Sequence, residues 1–184
     1  MALGILDYAD DPFRLRYQLV VGGSGFFLGT MDRIKQSPSG PADFTAGRRM
    51  LRVDKNCSVQ SGAVISDPDG VLFMVGSNGA SDQVGGSYRS FRLVEATHQL
   101  SWKKRIQVVD PVTHLEKEAP SLDMGLIWCA YEPDAQEAFD RQIHSNFETA
   151  RLITASSVGR DDLIGVKKIA RVDLMIGLRI CHLS

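Results

Sequence analysis

The stretch Ala63-Val64-Ile65-Ser66-Asp67-Pro68-Asp69-Gly70-Val71-Leu72-Phe73-Met74-Val75-Gly76 decides how this chain is read. Two apolar runs, residues 63–65 and 71–75, flank a Pro-Asp-Gly turn. Pro68 presets φ, Asp69 can bond its own backbone, and Gly70 takes a positive φ without steric cost. Val, Ile and Phe on both sides suit a pleated, half-buried surface. Together these features predict a β-hairpin.

Strand-like stretches extend from it in both directions. RLRYQLVV at 14–21 places Leu15, Tyr17, Leu19 and Val21 on one face, and Gly22-Gly23-Ser24-Gly25 separates it from a second strand at 26–34. Residues 48–53 read as a short strand, and 37–47 and 77–87 as polar, glycine-rich loops. Downstream, 88–96 and 102–110 read as strands and 111–120 as a polar connection. DMGLIWCAY at 123–131 is apolar on both faces, which predicts a central strand covered on both sides. Pro133, then Ala135, Phe139, Ile143 and Phe147 at four-residue spacing, predict one amphipathic helix. Residues 151–154 suggest another short strand, and 166–183 a final antiparallel pair. The expected fold is all-β dominated: a single small β-barrel domain over 1–184 with one short α-helix, long loops and an N-terminal arm at 1–13. A barrel removes exposed strand edges; a sandwich is the alternative.

Composition narrows the function classes. The 184 residues are 43% hydrophobic and 23% charged, with a formal net charge of −1, so no global field favours nucleic acid or an anionic membrane. No run of 18 apolar residues predicts a membrane span. The opening MALGILDYADDPF has neither the basic region nor the long apolar core of a secretory signal. Three widely spaced cysteines, Cys57, Cys129 and Cys181, do not form a disulfide framework and fit a reducing compartment.

Candidate chemistry is sparse. Gly23-Ser24-Gly25-Phe26-Phe27-Leu28-Gly29 superficially suggests a dinucleotide loop, but no amphipathic helix follows to supply the N-terminus that cradles phosphate, so a hairpin or bulge turn is the expectation. His98, His114 and His144 have no metal-ligand spacing. Cys181 and His182 are adjacent, and neighbours on a strand point to opposite faces. Cys129 lies in an apolar run, where core packing is expected; loop-borne Cys57 has no activating neighbour. Asp67-Pro68-Asp69-Gly70 imitates the start of a calcium loop and then runs into apolar residues, so it reads as a turn. Asp161-Asp162 and Asp10-Asp11 are scattered acids. No catalytic, cofactor-binding or metal-binding residue is expected. Lys103-Lys104-Arg105 beside Trp102 is the single triple basic cluster. It reads first as a solvated strand edge that discourages aggregation, with contact to DNA phosphates as the alternative.

The hairpin with its neighbours resembles the small β-barrel proteins of tailed-phage necks, the head-closure or "stopper" and head-to-tail connector type. Gly62, Ile65, Asp69, Gly70, Phe73 and Val75 occupy an approximate version of a phrase that recurs there. YRSFRLVEA after the loose loop, and the closing VKKIARVDLMIGLRICHL, resemble further parts of such proteins. The resemblance implies a non-catalytic structural virion protein, assembled in the host cytoplasm. It would form a homo-oligomeric ring between portal or adaptor and tail, and its partners would be itself and neighbouring connector and tail proteins. DNA would pass without sequence-specific contact, and Lys103, Lys104 and Arg105 are the candidate channel residues. Leu3, Ile5, Leu6 and Phe13 of the arm are the candidate interface anchors. The alternatives are another phage tail or baseplate structural protein, or a non-catalytic β-barrel binding module.

Overall fold

The computed structural model describes residues 14–33, 49–77, 83–84, 88–114, 116–132 and 150–184. The helix expected at 133–147, the loop at 37–47, most of the loop at 77–87 and the arm at 1–13 lie outside the described residues. What is described is all-β, without a helix. Where the sequence reading gathered 1–184 into one barrel, the described residues divide into two compact units. One runs up to Ala96 and includes Ile176–Leu178; the other takes the remainder from Thr97.

The first unit holds β1 (Leu15–Val21), β2 (Gly25–Arg33), β3 (Arg49–Asp54), β4 (Val64–Ser66), β5 (Leu72–Gly76), β6 (Gln83–Val84) and β7 (Tyr88–Glu95). Its strands order as β3-β2-β1-β4-β5-β7-β6, and a further β3–β7 pairing closes the sheet on itself. The central hairpin forms as expected, with Ile65 opposite Phe73 and Val64 opposite Met74. The turn chemistry belongs to Asp67 rather than Asp69: its Oδ1 accepts from the backbone N–H of Asp69 (3.0 Å) and of Val71 (2.8 Å). Gly70 supplies the positive φ of 83°. Alternation then builds the core. Tyr17, Leu19, Leu51, Val53, Ile65, Phe73 and Phe91 point inward and are buried. Each such side chain contributes roughly 1.5–3 kcal/mol when fully covered. Gly29 is required where β2 meets β3, because a Cβ there would lie 2.9 Å from the Arg52 carbonyl oxygen.

The second unit holds β8 (His98–Val109), β9 (Glu116–Glu132), β10 (Ala150–Thr154), β11 (Leu163–Ile164), β12 (Lys167–Met175) and, from Arg179 on, β13 (Leu178–Leu183). They form a closed barrel in the order β10-β13-β12-β11-β8-β9. Its core gathers Trp102, Ile127, Cys129, Leu152, Ile169 and Cys181. The final strand pair is present. Its turn is Ile176-Gly177, with φ of 49° and 74°, the two positive values that a two-residue primed turn demands. Ile176 hides that signal in the sequence, because β-branched residues rarely adopt a positive φ.

Candidate functional site

The barrel of the second unit does not end where its core ends. β8 and β9 pair along their whole length, from His98 opposite Cys129 to Val109 opposite Glu116. Their inner ends are built into the barrel: Trp102, Ile127 and Cys129 are buried, and β9 pairs with β10 through Cys129–Glu132. Beyond Trp102 the two strands run on as a ribbon. From Lys103 to Val109 on β8 and from Pro120 to Leu126 on β9, no residue is buried. Among the described residues, β8 past Lys103 and β9 before Cys129 pair only with each other.

The sequence explains the ribbon's shape. The register slips twice, between Trp102 and Lys103 and between Lys104 and Ile106, and each slip places the extra residue on β9. The first falls at Met124, where Gly125 takes a φ of 87° and its N–H donates to Asp123 Oδ1 at 2.9 Å. The second falls at Pro120-Ser121, and proline lacks the N–H that a regular ladder needs. The outer turn repeats the device of the central hairpin. Asp110 Oδ1 accepts from the N–H of Val112 (2.8 Å) and Thr113 (3.2 Å), and His114 takes a φ of 55°.

The ribbon carries apolar side chains that nothing among the described residues covers. Ile106 and Val108 share one face of β8, with Leu122 set opposite Lys104 on the same side. Val108 is 49% exposed, Leu122 52% and Leu126 62%. An isolated two-stranded hairpin is at best marginally stable in water, and contiguous exposed apolar surface marks an interaction site. This corrects two sequence readings. Residues 123–131 are covered only from Ile127 onward, and residues 116–120 are strand rather than connection.

The basic cluster sits at the ribbon's root. Lys103 and Lys104 are exposed, while Arg105 is half-buried, its guanidinium 3.6 Å from Asp161 Oδ1. Lys168 Nζ reaches the same oxygen at 2.9 Å. That hydrogen bond foremost, and the charges of Lys168, Arg105 and Arg160, hold the Asp161 carboxyl below its ordinary range. Next to it lies a residue the sequence reading left among the scattered acids. Asp162 is 3% exposed and fully engaged: Oδ2 accepts from Trp102 Nε1 (3.0 Å) and the Gly159 N–H (2.8 Å), and Oδ1 accepts from the Arg105 N–H (2.9 Å). Three N–H donors satisfy a buried carboxylate and fix the point where β8 leaves the barrel. The spacing Trp102…Asp162 gives no local signal for this, because the two residues meet only through the fold.

The other candidates are dispersed. Leu3, Ile5, Leu6 and Phe13 lie outside the described residues, as does His144. Burial pushes the Cys129 and Cys181 thiols up to about 12, so both stay protonated at neutral pH. Cys57 packs partly against the first core. His98 is exposed, edge-on to Tyr131. His182 is buried, its Nε2 3.0 Å from Asp173 Oδ2 and 2.9 Å from Arg171. Among the described residues no three His, Cys, Asp or Glu side chains gather as a metal site. In comparisons with known proteins the chain matches no family model, no curated protein and no solved structure.

Proposed function

We propose that this protein is a non-catalytic structural subunit that assembles with copies of itself into a ring, at the head-to-tail junction of a tailed phage. The single observation that supports assembly is the β8–β9 ribbon. It exposes Ile106, Val108 and Leu122 on one face and Leu126 on the other, and no core of described residues lies beneath it. A subunit that must stay single gains nothing from such a surface, whereas one that packs against a neighbour covers it. Head-to-tail contacts through such a surface generate rings when the rotation closes. The placement in a phage neck rests on the resemblance carried by Gly62, Ile65, Asp69, Gly70, Phe73 and Val75.

Native mass and electron microscopy of the purified protein test this reading. Discrete rings of several copies are the expected result. A protein that stays monomeric at high concentration, alone and with phage portal and tail proteins, overturns it and favours a binding module.

A further inference from the structure

We propose that the face of the ribbon bearing Lys104, Ile106 and Val108 is the seat for residues 1–13 of a neighbouring copy. This inference rests on the ring-assembly reading and names the contact that builds it. Three observations converge. First, β8 alternates without interruption, because both extra residues of the register slips lie on β9, so Lys104, Ile106 and Val108 stand in a row on one face. Second, the arm carries the matching series at the same spacing: Leu3, Ile5 and Asp7. Laid antiparallel, Leu3 meets Val108, Ile5 meets Ile106 and Asp7 meets Lys104. Third, the charges are complementary. The arm holds Asp7, Asp10 and Asp11 and no Lys or Arg, while the seat's inner end holds Lys104, which no ion pair engages among the described residues. The length also fits. Thirteen residues span about 43 Å when extended, against about 20 Å for the six residues from Lys104 to Val109, so the arm covers the face with chain to spare for crossing between subunits. Arg105 is excluded from the seat: its N–H is already given to Asp162 Oδ1, and its guanidinium faces Asp161.

Cross-linking in the full-length chain tests the inference. Two variants are prepared in a Cys57→Ser background, one carrying Leu3→Cys and the other Val108→Cys. Cys129 and Cys181 are buried and do not compete. On mild oxidation the mixture is expected to give a mixed disulfide dimer about tenfold above either variant alone. Lys104→Glu in the Val108→Cys copy is expected to cut that yield about tenfold by setting like charges together, and Asp7→Lys in the other copy to restore it. Circular dichroism checks that each variant is folded. Light scattering on the unsubstituted protein separates the two levels of the argument. If it assembles and the mixture gives no excess of mixed dimer, the arm inference falls and ring assembly stands; if it stays monomeric, alone and with phage portal and tail proteins, both fall. A chain carrying both cysteines that closes on itself as a dilute monomer also overturns the inference, because the arm then seats on its own ribbon.

Discussion

Two hairpins in this molecule open their turns with the same Asp-Pro step and have opposite fates. Asp67-Pro68 opens one turn and Asp110-Pro111 the other, and in both the aspartate Oδ1 accepts from the N–H two residues on. Each turn also contains one residue at positive φ, Gly70 at 83° and His114 at 55°. Yet β4 and β5 are short and covered, with Ile65, Phe73, Met74 and Val75 buried, whereas the outer halves of β8 and β9 bury no described side chain. The turn specifies that a hairpin forms. Whether the hairpin carries stability or offers a surface depends on what lies beneath it.

The strongest way to break this contrast is to empty the covered hairpin. Phe73→Ala is expected to cost about 3–5 kcal/mol in urea unfolding, as a large side chain leaves a cavity in a packed core. A change below about 1 kcal/mol would show that the hairpin's burial does not hold the first unit together. Next in size is the anchor of the naked hairpin. Asp162→Asn turns an amide N–H₂ toward buried N–H donors at Trp102, Gly159 or Arg105, and is expected to cost about 3 kcal/mol.

The second unit is also expected to weaken in alkali. The thiols of Cys129 and Cys181 are held protonated in the folded state up to about 12, from an ordinary value of 9.0. Above pH 9 the unfolded chain releases protons that the folded chain keeps, so this contribution is complete below pH 9 and is lost as pH rises from 9 toward about 12. The urea midpoint measured against pH should fall across that window, and the curve should flatten in a Cys129→Ala, Cys181→Ala variant. An equally steep fall in that variant would place the alkaline weakening elsewhere.

The turns themselves allow a finer comparison. Gly70→Ala is expected to cost about 1–2 kcal/mol, and His114→Gly to recover a few tenths to about 1 kcal/mol, since only glycine takes positive φ without a steric penalty. Opposite shifts in the two unfolding midpoints are the check. The smallest expected effect on stability is the most informative one. Ile106→Ser on the ribbon should change the unfolding free energy in urea by less than about 0.5 kcal/mol while abolishing self-association by light scattering. A large loss of monomer stability would mean that the ribbon is covered within its own chain.

Much of the fold was legible for local reasons. Asp67-Pro68-Asp69-Gly70 names its hairpin, and the alternation of Leu15, Tyr17 and Leu19 names β1 with Tyr17 and Leu19 facing the core. The ribbon was harder to see. Leu122, Met124 and Leu126 are as apolar as Ile127 and Cys129, so residues 123–131 looked uniformly buried. Periodicity reports that a residue is apolar, not whether anything covers it. Pro120 within a strand was the available sign of a bulged, unprotected segment, and it reads equally well as the end of a loop.

The sequence by itself determined the central hairpin and the alternation of β1, because both depend on residues a few positions apart. It also determined the charge of the arm and of the ribbon's root. Only the tertiary structure decided that the described strands divide between two compact units, that β3 pairs with β7 to close the first sheet, and that β8 and β9 outrun the barrel they help to close. Only the tertiary structure, too, brought Asp162 against Trp102, sixty positions earlier. Those outcomes depend on which distant segments meet, and the free energy of meeting comes from burial that no single segment can supply alone.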